Sequence, residues 1–141
     1  MKKSGFVTFL AFAILLPTSC GGPSPSFEQE DALRDEVFAI HDEVMPRMSE
    51  IVRLKGGLKE MPTDTINEAV VRAAQSQLEK AEDAMMGWMN NFTGPEKLRG
   101  SKSHEEIMAY LQNEKLEIAK VRDAMNNSIA AAERILKVSG Q

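Results

Sequence analysis

The residues best suited to chemistry in this sequence are two histidines and a run of methionines. His41 is followed by Met45 and Met48, His104 by Met108, and Met85, Met86 and Met89 lie between them. On a helix, a four-residue spacing puts each His–Met pair on one face. Imidazole and thioether ligands suit copper, and the same pair can hold a haem iron inside a helical bundle. The candidate metal set is His104, Met108, Met85 and Met89. His41 falls outside it, since in a bundle whose first and third helices run parallel it lies roughly 20 Å along the axis from His104. The plainer reading is favoured: methionine fills irregular gaps in helical cores, the histidines sit at helix edges, and no cofactor is expected.

The chain has a single cysteine, Cys20, so one chain offers no internal disulfide and no multi-cysteine zinc or iron–sulfur site. Lys2 and Lys3 precede an almost wholly apolar stretch from Phe6 to Leu16. That stretch suits a signal-peptide core and is too short for a spanning helix, which needs roughly 17 to 25 residues. Pro17-Thr18-Ser19-Cys20 then resembles the lipobox at which a cysteine receives diacylglycerol before the leader is cut away, although Leu16 stands one place further back than usual. The expected organisation is a signal peptide over 1–19, a lipidated Cys20 with a Gly/Pro/Ser tether over 20–26, and a helical domain over 27–141. Acyl chains such as palmitate contribute about 0.8 kcal/mol per buried CH2, and two or more anchor stably. Gly21, where Asp would favour retention, points to sorting to the outer membrane.

Other candidates are weaker. Asp64-Thr65-Ile66 resembles a three-residue acceptor for periplasmic O-glycosylation in some gut bacteria, yet Thr65 is equally suited to capping a helix. The carboxylates Glu79, Glu82, Asp83, Glu105 and Glu106 occupy outward helical positions among Lys and Arg, which favours a solvated face over paired acid–base work. No phosphate loop, nucleophile elbow or zinc-protease helix occurs, and no catalytic residue is expected.

The net charge of −4, or −6 once Lys2 and Lys3 are set aside, argues against nucleic acid, which needs a basic footprint. It also gives little electrostatic attraction to anionic lipid, so membrane attachment falls to the lipid on Cys20.

These residues would be positioned by three long helices. Leu33, Val37, Ile40, Val44, Met48, Ile51, Leu54 and Leu58 share one face of the first; Pro46 should bend or split it, and Gly56-Gly57 offers a stop. The second opens at Thr65 with Glu68 three residues on, and continues Ile66, Val70, Ala74, Leu78, Ala81, Met85, Trp88, Phe92. The third opens at Ser103 with Glu106 and carries a seam from Ile107 to Ile135, interrupted only by Glu114 and Ser128. Breaks are expected at Gly56–Thr63 and Thr93–Lys102. The expected fold is all-α, an up-down-up three-helix bundle, with a bent hairpin that completes its core by dimerising as the alternative.

The segments His41 to Met48, Met85 to Met89 and Ser103 to Leu111 resemble a family of small Bacteroidota lipoproteins often labelled "viral A-type inclusion protein". That resemblance implies an anchored helical domain and supplies no catalytic residue. The expectation is therefore a non-enzymatic envelope lipoprotein with a protein-binding or structural role, held to the membrane by lipid, with copper or haem binding as the alternative.

Overall fold

The computed structural model describes residues 24–61 and 68–139. Every regular element among them is helical: α1 (Pro25–Val44), a 3-10 turn (Met45–Arg47), α2 (Met48–Lys59), α3 (Glu68–Asn91), the short α4 (Pro95–Leu98) and α5 (His104–Ser139). The class is all-α. None of these helices is long and apolar enough to cross a membrane. Cys20, the apolar stretch before it and Thr65 lie outside the described residues.

The helix ends follow local chemistry. Pro25 takes the first position of α1, two residues inside the stretch read as tether, because a proline there sacrifices no hydrogen bond and arrives with helical φ. Pro46 cannot donate to the preceding turn, so the chain tightens into the 3-10 turn that divides α1 from α2. At the head of α5, Glu106 N–H donates to Ser103 Oγ at 3.3 Å and Ser103 N–H donates to Glu106 Oε2 at 2.8 Å. That is the reciprocal capping box expected from the spacing.

Two expectations fail. Gly56 and Gly57 do not stop the helix, which runs through both to Lys59. Gly57 instead permits a close approach: a Cβ there would stand 3.2 Å from Leu136 Cδ1 of α5, whereas one at Gly56 would meet nothing. Val70, placed on the buried face, is 45% exposed, while Val71 packs against the core. The periodic pattern admits either residue, and the contact with neighbouring helices chooses. Within the stretch read as a break, Pro95–Leu98 forms a helical turn, α4.

Cross-helix contacts set the directions. Glu30 meets His104, Glu36 meets Lys115, and Arg47 meets Asn126, so the α1–α2 rod and α5 advance together. Phe92 lies by Tyr110, Ala81 by Ala124, and Val70 by Ile135, so α3 runs the opposite way. α5, 36 residues and about 54 Å long, packs closely against both others. Val37, Ile51, Leu78, Met85, Ile118 and Met125 are among the fully buried members of the main core. Burying a side chain of this size contributes roughly 1.5–3 kcal/mol. A smaller cluster of Leu33, Ile107 and Leu111 closes the end where α1 and α5 begin.

Candidate functional site

The most concentrated polar chemistry lies at that end. Glu30, one turn into α1, is 1% exposed and receives hydrogen bonds from two elements far along the chain. Arg99, just after α4, donates from Nε to Glu30 Oε2 at 2.7 Å and from Nη2 to Asp31 Oδ1 at 2.7 Å and Phe27 O at 3.2 Å. His104 Nδ1 stands 2.9 Å from Glu30 Oε1. The guanidinium also covers the ring of Phe27, 4.3 Å from its centroid, a cation–π contact. Burial alone pushes the Glu30 carboxyl up, but the hydrogen bonds and charges of Arg99 and His104 outweigh it and hold the group below its ordinary value. The result is a knot tying α1, α4 and α5 together.

About ten residues along α5 lies an aromatic layer. α1 and α3 approach each other less closely than either approaches α5, and large rings fill the space. Phe92 stacks on Trp88 with centroids 5.1 Å apart, Phe38 meets the edge of Phe92 at 5.2 Å, and His41 lies over Trp88 at 5.6 Å. Tyr110 of α5 completes the set, 6.3 Å from Phe92, and its hydroxyl accepts the N–H of Thr93 at 2.8 Å. Trp88 Nε1–H is buried and makes no hydrogen bond.

The candidate metal residues are distributed among these features. Met85 is wholly buried in the main core and Met89 packs against it; Met108 packs against the smaller cluster, and His104 is engaged by Glu30. No group of three or more His, Cys, Asp or Glu suited to a metal ion occurs among the described residues. His41 and His104 have separate surroundings, the first in the aromatic layer and the second in the knot.

Of the carboxylates, Glu79, Asp83, Glu105 and Glu106 are exposed. Glu82 is not: it is half-buried and accepts from Lys55 Nζ of α2 at 2.7 Å, a bond that raises the Lys55 pKa. Opposite the α1–α2 rod, a shallow groove between α3 and α5 is lined by Ala73, Val70, Ala131 and Ile135, continuing past Gln77 to Ala124 and Asn127.

Glu30, Asp31, Arg99 and the edge-on Phe38 were not recognisable as a set from the sequence. No local pattern in the sequence marks them, because Glu30 and Arg99 are 69 positions apart. Comparisons of the chain with protein-family models, with curated proteins and with solved structures each found no match.

Proposed function

We propose that this chain is a lipid-anchored protein of the bacterial envelope, sorted to the outer membrane, whose helical domain binds a protein partner or serves as a structural element and performs no catalysis. The observation that carries the reading is the position of Cys20. It follows a signal-type apolar core and precedes the first residue of α1, Pro25, by five positions. Five residues reach at most about 18 Å, so a lipid on the thiol would keep the start of α1 close to the membrane surface.

Two features of the domain support a binding or structural role. The groove between α3 and α5 presents small apolar side chains, a surface against which another helix can approach closely. The two half-buried or buried carboxylates with displaced pKa values, Glu30 and Glu114, do not make an acid–base pair. His104, which Glu30 contacts, is ten residues from Glu114 on α5, about 15 Å by helical rise, and paired catalytic acids need roughly 5 to 9.5 Å.

Metabolic labelling with a fatty acid tests the anchor. The wild type should label and require detergent, while Cys20→Ala should carry no label and either become soluble or persist as an uncleaved precursor. Equal labelling of both forms overturns the proposal.

A further inference from the structure

The face between the α1–α2 rod and α3 carries apolar side chains that the core leaves uncovered. Phe38 is 37% exposed, although its ring meets Trp88 and Phe92 of α3 edge-on with centroids 6.4 and 5.2 Å away. Steps of three or four residues along the rod lead from it through His41 to Met45, Met48 and Val52. The two methionines are half-buried against the main core, and Val52 is 59% exposed. On α3, Met86 is 45% exposed and Met89, one turn on, is half-buried. Lys55, three residues past Val52, reaches Glu82, four before Met86, so these stretches of α2 and α3 lie side by side. The stripe from Phe38 to Val52 is about 21 Å long, or roughly four turns of helix.

The rim of this stripe is acidic. Asp42, bonded to His41 Nδ1 at 2.8 Å, has its carboxylate largely in water, and Glu79 and Asp83 are exposed on α3. Lys55 is neutralised by Glu82, and Arg34 by Asp31 and Asp35. Among the described residues of the rim, Lys59 at the end of α2 opposes these three acids and shares a cleft with Glu79.

We propose that this face is a docking groove for a basic amphipathic helix of a partner protein, which rests on the protein-binding role given above. The apolar side of the incoming helix lies on Phe38 and the methionines, and its Lys or Arg residues meet Asp42, Glu79 and Asp83. Methionine suits such a surface because its unbranched, polarizable side chain adapts to what is laid on it. A helix fits better than a strand, since the helices that flank the groove satisfy their own backbone groups and leave those of a strand unpaired. A second copy of this chain, itself of net charge −4, would set acid against acid across the contact. Anionic lipid is repelled by the same carboxylates.

The test uses full-length protein with its methionine methyl groups labelled with carbon-13, in zwitterionic detergent just above its critical micelle concentration. An amphipathic peptide of Leu and Lys, about 18 residues long so that it covers the stripe, is added in excess over micelles. The methyl signals of Met45, Met48, Met86 and Met89 should shift saturably, while those of Met108, in the smaller cluster, and of the wholly buried Met125 should not. Asp42→Asn combined with Asp83→Asn should weaken binding about fivefold with helix content unchanged, as expected for two exposed charge pairs. The same peptide with Glu in place of Lys should move none of the signals. An unmoved Met86 signal, an equal response to the Glu peptide, or a Met86 shift that follows protein concentration without peptide would overturn the groove, the last by assigning the face to a second copy. Protein that still carries fatty-acid label on Cys20 but shows an unmoved Met86 loses this groove and keeps the anchor, so the two readings fail separately.

Discussion

Arg99 Nε reaches Glu30 Oε2 at 2.7 Å across 69 positions of sequence, and the carboxylate it reaches is almost wholly removed from water. An ion pair of this kind adds little over an apolar core of the same shape, but either partner is costly to strand. Arg99→Ala leaves Glu30 buried with His104 alone and should reduce the unfolding free energy by about 3 kcal/mol, measured by urea titration. Asp31→Ala removes a more exposed partner of the same guanidinium and should cost under about 1 kcal/mol.

The same knot sets an acid limit. Because Glu30 is held below its ordinary pKa in the folded state, its contribution is present above the ordinary carboxylate range and is lost as pH falls through the lowered value. Melting temperature should drop in that window, and Glu30→Gln should flatten the drop. Burial raises the Glu114 pKa, which acts with the opposite sign, so Glu114→Gln should leave the acid limb in place.

The two adjacent glycines of α2 should respond differently to alanine. At Gly56 the added methyl enters open space, so the gain is the helix-propensity difference of about 0.8–1.0 kcal/mol. At Gly57 the methyl must displace Leu136, and the gain should be smaller or reversed. Thermal melts of both variants, compared at one pH, separate a propensity effect from a packing effect.

Ile118 is wholly buried in the middle of α5, and Ile118→Asp should cost several kcal/mol, comparable with the whole stability of a domain this size. Ala119, half-buried one position round the helix, should accept Gln with much smaller loss. Helical circular dichroism on heating, with the solution mass of each variant, checks this. Cooperative loss of helix from a monomer is the expected outcome; a still-helical monomer derived from a dimer would place the seam at an interface between chains.

The sequence by itself determined the features that arise within about one helical turn. The apolar spacing of Leu33 to Leu58 and of Ile107 to Ile135, the Ser103–Glu106 box and the interruption at Pro46 depend on residues three or four positions apart, and each is found where the sequence places it. Tertiary structure decided whatever required two remote surfaces to meet. Gly57 reads locally as a stop, yet it is retained inside α2 because Leu136 needs the room. Val70 and Val71 are equivalent in periodicity until the neighbouring helices bury one of them. Glu82 is an ordinary outward acid until Lys55 of α2 reaches it, and Glu30 is indistinguishable from its neighbours until Arg99 and His104 close over it. Local hydrogen bonding and side-chain period fix the helices, but which face of each is covered depends on how the rods pack. Such burial is a property of the assembled surfaces, and no segment of one helix contains it.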